Sequence, residues 1–154
     1  MSDATEIEIL LVEDNMADAE LALHAFAKHK IANHVLHVKD GAEALDFLFS
    51  RGAYSGPPFV HRPRLILLDL KLPKIDGLQV LTEIKRNPAT RAIPVILLTS
   101  SSEERDLVAS YQLGVNSYIQ KPVNFAAFQE VVRQLGLYWL VVNKEPPAAA
   151  FLTS

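Results

Sequence analysis

The 154-residue chain has no cysteine, one tryptophan and no long apolar stretch, and each lack removes a class of protein. Without thiols there can be neither a disulfide framework nor a thiolate zinc site, which fits a reducing compartment. The longest apolar run, residues 137–142, is far below the roughly 20 residues a membrane helix needs. Residues 1–8 carry Asp3, Glu6 and Glu8 where a secretory leader would carry Lys or Arg. A net charge of −3 supplies no broad basic field, so direct DNA binding is not expected. What remains is a cytoplasmic, non-membrane chain, 49% hydrophobic and of a length that suits one core.

What is present is a series of short apolar runs, each ending in a polar residue. The clearest is Leu65–Asp69, four aliphatic residues and then a carboxylate. A run this short and unbroken reads as a strand buried on both faces of a parallel sheet. Residues 7–12 end in Glu13-Asp14-Asn15, residues 94–98 in Thr99-Ser100-Ser101, and residues 117–120 in Lys121-Pro122. Residues 35–38 make a shorter strand. Between the strands, apolar positions recur with helical spacing: Ala19, Ala22, Leu23 and Phe26; Leu45, Leu48 and Phe49 after the Asp40-Gly41 turn; Gly77, Val80, Leu81 and Ile84; Leu107, Val108 and Tyr111; Phe128, Val131, Val132 and Leu135. Residues 51–63, with Pro57-Pro58 at the centre, form a long loop.

Five strands alternating with five helices imply an α/β fold, a doubly wound five-stranded parallel sheet of the flavodoxin-like type with order 2-1-3-4-5. In such sheets ligands bind at the carboxyl ends of the strands, and strands one and three lie side by side at the switch point. Glu13, Asp14, Asp69, Thr99 and Lys121 therefore converge. Like charges about 4 Å apart repel by about 4 kcal/mol at an effective dielectric near 20, so clustered carboxylates call for a cation. Mg²⁺ is the natural complement, with Mn²⁺ or Ca²⁺ as substitutes, and Mg²⁺ sites of this kind usually receive a phosphoryl group. Asp69 is the candidate nucleophile toward phosphorus, with Lys121 neutralising phosphoryl oxygens and the Thr99 hydroxyl donating to one of them. The five histidines form no cluster and read as surface residues.

These residues in this order resemble the receiver domains of two-component response regulators. The matching stretches are Leu11-Val12-Glu13-Asp14-Asn15, Leu67-Leu68-Asp69-Leu70-Lys71-Leu72-Pro73 with Asp76-Gly77, Leu98-Thr99-Ser100 and Tyr118-Ile119-Gln120-Lys121-Pro122. The resemblance implies a phosphoacceptor protein and not a general enzyme, with only its own phosphorylation and dephosphorylation catalysed. It implies Asp69 as phosphoacceptor, metal ligation by Glu13, Asp14, Asp69 and the Lys71 backbone carbonyl, and phosphoryl contact by Thr99 and Lys121. Thr99 and Tyr118 would be the switch pair, and the bond before Pro122 would be cis.

A closer resemblance is to the single-domain regulators of cyanobacterial and bacterial phytochromes, through the Pro-containing loop and through Tyr138-Trp139-Leu140, Asn143 and Pro146-Pro147. It implies a sensor histidine kinase of phytochrome type as donor and a homodimer through the fourth helix, fifth strand and fifth helix, with Tyr138 and Trp139 in the interface. The expected organisation is a receiver domain over residues 1–143 with an extended last helix, a tail over 144–154 and no output domain. The alternative is a haloacid-dehalogenase-like, Mg²⁺-dependent phosphatase. That family wants a second Asp two positions after the nucleophile, where this chain has Lys71, and its other acids follow the lysine, whereas Glu13 and Asp14 precede everything.

Overall fold

The computed structural model describes residues 7–28, 35–55, 62–99, 113–115, 117–121 and 123–137. The expected helix from Glu103, the Pro122 peptide bond, Tyr138, Trp139 and the tail lie outside the described residues. Within them the order is β1 (Ile9–Val12), α1 (Met16–Lys28), β2 (Val35–Val38), α2 (Gly41–Leu48), a 3-10 turn (Gly52–Tyr54), β3 (Leu65–Asp69), α3 (Gly77–Arg86), β4 (Val95–Thr99), β5 (Ser117–Gln120) and α4 (Phe125–Gln134). The strands form one parallel sheet in the order β2-β1-β3-β4-β5, as the sequence implies. Among the described residues no helix is long and apolar enough to cross a membrane.

Burial follows the apolar runs. Every residue of β1, β3 and β4 is buried, whereas the outer strands β2 and β5 each bury one residue fully, Val38 and Ile119. Alternation along the strands splits the core in two. Leu10, Val12, Ile66, Leu68, Val95 and Leu97 meet Leu45, Phe47, Val80, Leu81 and Ile84 of α2 and α3. Ile9, Leu11, Leu65, Leu67, Ile96 and Leu98 meet Ala19, Ala22, Phe26, Phe128 and Val132 of α1 and α4. The Phe26 and Phe128 rings lie 4.8 Å apart, centroid to centroid, and tie α1 to α4 beneath the sheet. Each such side chain contributes about 1.5–3 kcal/mol by leaving water, so the sheet is held rigidly from both faces.

The strand limits differ slightly from the sequence reading. Pairing of β1 begins at Ile9: the Glu8 carbonyl accepts the Arg64 and Leu65 amides at 2.8 and 3.2 Å, and the Leu65 bond opens the ladder with β3. Pro94 lacks an N–H and offers only its carbonyl, to Ile66, so β4 begins at Val95 and includes Thr99.

Helix ends are set by side-chain caps: Asn15 on α1, Asp40 on α2, Asp76 with Gln79 as a capping box on α3, and Asn124 on α4. The last helix does not run through Gly136. It stops at Gln134, Gly136 adopts φ 77°, and the Gly136 and Leu137 amides return to Arg133 and Val132 carbonyls at 3.1 and 2.8 Å. That is a Schellman ending, and the apolar residue after the glycine reflects its hydrophobic contact, not helix continuation.

A receiver-type phosphorylation site at the sheet edge

Register decides which groups meet. Val12 pairs with Leu68, so Glu13 and Asp69 emerge side by side; Asp69 pairs with Leu98 and Thr99 with Gln120, so Thr99 and Lys121 follow on the same rim. The Lys121 amide donates to the Thr99 carbonyl at 2.7 Å and fixes where the lysine leaves the sheet.

Glu13 and Asp69 are almost wholly buried, at 1% and 2% exposure. Lys121 Nζ donates to Asp69 Oδ2 at 3.1 Å and to the two Glu13 oxygens at 3.3 and 3.4 Å. The second Asp69 oxygen accepts the Lys71 amide at 3.3 Å. Asp14 is exposed at the mouth. Oxygen atoms of Glu13, Asp14 and Asp69 lie within 4.8 Å of one another. Thr99 is buried at the end of β4, and Tyr118 is 44% exposed on β5.

Burial, reinforced by a hydrogen bond that the protonated carboxyl donates to Asp69 and by the Asp69 charge, pushes the Glu13 carboxyl up from 4.5 to about 8; the Asn15 amide and Lys121 only partly oppose this. For Lys121, burial works the other way, but the Asp69 and Glu13 charges outweigh it and hold the ammonium above its ordinary range. The cluster thus favours a proton on Glu13 and a charged Lys121. Glu13, Asp14, Asp18 and Asp69 set four carboxyl groups against the one ammonium of Lys121. A hard divalent cation fits this donor set: it would take the place of a proton on Glu13 and offset two of the three negative charges that the ionised acids leave.

Two residues of the site are not evident from sequence. Asp18, in the first turn of α1, places Oδ2 3.3 Å from Lys121 Nζ. Its signal is positional, since a helix capped at Asn15 starts over the strand ends. His37, read as a surface residue, is instead half-buried and donates Nε2–H to the Glu13 carbonyl at 2.7 Å. With the Glu13 amide bonded to the Val38 carbonyl at 3.1 Å, β2 holds Glu13 by both backbone groups. His24 is exposed, as expected; His29, His34 and His61 lie outside the described residues.

This parallel sheet, with acids at β1 and β3 and a lysine beyond β5, is a response regulator receiver domain. The sequence matches that family over residues 9–133, and the chain belongs to it. Receiver domains accept a phosphoryl group from a histidine kinase and signal through changed protein contacts. The chain is similar to response regulator Rcp1 of Synechocystis sp., 43% identical over 140 residues covering 91% of this chain and 93% of that protein. A Mn²⁺-bound structure of Rcp1 matches with a TM-score of 0.71, 42% identity and coverage of 92% and 99% of the two chains. The bacteriophytochrome response regulator AtBRR matches with a TM-score of 0.76, 50% identity and coverage of 87% and 95%. The phosphorylated cyanobacterial phytochrome response regulator RcpA matches with a TM-score of 0.72, 41% identity and coverage of 94% and 100%. None of this supports the haloacid-dehalogenase-like alternative.

Proposed function

We propose that Asp69 is the phosphoacceptor and that its donor is a sensor histidine kinase of phytochrome type. The observation that carries this is the buried Asp69 carboxylate held between the Lys121 ammonium and the Lys71 amide, beside two further acids. One Asp69 oxygen attacks phosphorus of a phosphohistidine, the P–N bond breaks, and its electron pair returns to the imidazole nitrogen, which takes a proton. Lys121 follows the transferred charge, and the Thr99 hydroxyl donates to a phosphoryl oxygen.

Glu13, Asp14, Asp69 and the Lys71 backbone carbonyl would hold the divalent ion, Mg²⁺ in preference and Mn²⁺ or Ca²⁺ as substitutes; the Mn²⁺-bound relative supports this reading. Such an ion would supply charge neutralisation for the phosphoryl oxygens. The acyl phosphate adds up to about two negative charges at one residue, enough to rebalance Thr99 and Tyr118, the proposed switch pair. Tyr118 stands exposed on β5, so an inward rotation is open to it.

We place the protein in the cytoplasm as a binding switch without general catalytic activity, dimerising through the region of β5, α4 and the preceding helix, with Tyr138 and Trp139 in the interface and the Lys121–Pro122 bond cis. Labelled phosphoryl transfer from a phytochrome kinase in its two light states tests the reading. Transfer to wild type that differs between light states, and none to Asp69→Asn, is expected; transfer to both proteins overturns Asp69.

A further inference from the structure

We infer that Asp18 is a positioning residue for Lys121, setting how the lysine divides its charge between the metal-binding acids and an incoming phosphoryl group. The inference rests on the reading of Asp69 as the phosphorylated residue.

Lys121 Nζ lies between three carboxylates, Asp69 at 3.1 Å and Glu13 and Asp18 each at 3.3 Å. Its donors go to Asp69 and to the two Glu13 oxygens, and Asp18 faces the same nitrogen as an ion pair. Glu13 and Asp69 belong to the group of oxygens that can hold a metal ion, and Asp18 does not. Its charge therefore acts on the site chiefly through the lysine. Both partners are fixed: the Asp18 amide donates to Asn15 Oδ1 at 2.9 Å at the start of α1, and the Lys121 amide donates to the Thr99 carbonyl. The pair is only partly exposed, at 18% for Lys121 and 28% for Asp18, so water screens it incompletely.

Two consequences of opposite sign follow. With Asp18 neutral, the Lys121 ammonium is drawn only toward Glu13 and Asp69 and competes harder with a divalent cation. At the same time the pocket loses one negative charge, and the whole lysine charge becomes available to a phosphoryl dianion. Asp18 thus favours metal binding and restrains phosphoryl retention.

The test is calorimetric titration of the metal-free full chain with Mg²⁺, followed by beryllium fluoride, a phosphoryl mimic, at saturating Mg²⁺, on wild type, Asp18→Asn, Asp18→Glu and Asp69→Asn. For Asp18→Asn, Mg²⁺ is expected to bind about two- to fivefold more weakly and beryllium fluoride about two- to fivefold more tightly, the range of a partly exposed ion pair. Asp18→Glu, which keeps the charge, returns both toward wild type. Loss of structure in α1 moves both affinities the same way, so changes of like sign, or no change, overturn the role of Asp18 while leaving Asp69 standing. If wild type and Asp69→Asn bind beryllium fluoride equally, the Asp69 reading falls and this inference with it.

Discussion

Lys121 Nζ reaches Asp69 Oδ2 at 3.1 Å across 52 residues of sequence, and the same ammonium touches Glu13 across 108. One cation from the far end of the sheet thus stands in for the ion that a cluster of buried acids requires.

Replacing Lys121 with Met strands Glu13 and Asp69 without a cation. Breaking a buried pair costs about 3–5 kcal/mol where a charge is left bare, and protonation of Glu13 relieves part of this. The metal-free variant is expected to lose about 1–3 kcal/mol in urea denaturation, and saturating Mg²⁺ to recover much of it. Phosphoryl uptake is expected to fall about 100-fold or more. Metal-free stability equal to wild type would show that Lys121 balances no buried charge.

Glu13 makes metal binding pH-dependent. Its pKa is raised on folding from 4.5 to about 8, so its favourable contribution to metal-free stability is full below 4.5 and lost as pH rises through about 8. The metal needs the carboxylate, so ion binding and the proton on Glu13 compete. Calorimetry is expected to show Mg²⁺ affinity rising from about pH 6 to about pH 8 and levelling above. In Glu13→Gln the profile is expected to be flatter and binding weaker. An affinity in wild type that is constant across this range contradicts the assignment.

Gly77 opens α3 pressed against the end of β3. A Cβ there would fall 2.4 Å from the Asp69 carbonyl oxygen and 2.6 Å from Leu70 Cα, both rigid backbone atoms. Gly77→Ala is expected to cost about 1–3 kcal/mol in denaturant unfolding, the usual range for overpacking, and to slow phosphorylation by displacing Asp69. Wild-type values for both would show that α3 can move away without cost.

Asp40 caps α2, accepting the Glu43 amide at 2.8 Å. That bond, against a small burial penalty and with help from Lys74, lowers its pKa below 3.8. The stabilisation is present above 3.8 and is lost as pH falls through the lower folded value. Asp40→Ala is expected to lose about 1 kcal/mol at neutral pH, and Asp40→Asn much less, by urea unfolding. Lys74→Ala is expected to change stability little, since that side chain is 68% exposed.

The sequence discloses most of this fold because β1, β3 and β4 are buried on both faces and must be unbroken apolar runs. Once the strand order is inferred, convergence of Glu13, Asp14, Asp69, Thr99 and Lys121 follows from topology alone. Asp18 and His37 stay hidden for a different reason. Their roles depend on which turn of α1 overhangs the rim and on how β2 meets Glu13, distances that local periodicity does not encode. At the other end, Leu137 after Gly136 suggests a continuing helix, whereas the helix stops at Gln134 and Gly136 takes a left-handed conformation.

The most direct measurement is chemical trapping of the phosphorylated protein. Wild type and Asp69→Asn are treated with acetyl phosphate and Mg²⁺, reduced with borohydride, which converts an aspartyl phosphate to homoserine, and mapped by peptide mass spectrometry. Homoserine at position 69 in wild type, dependent on both donor and metal, is expected. Its formation at another aspartate with Asp69 unchanged would contradict the assignment of the phosphoacceptor.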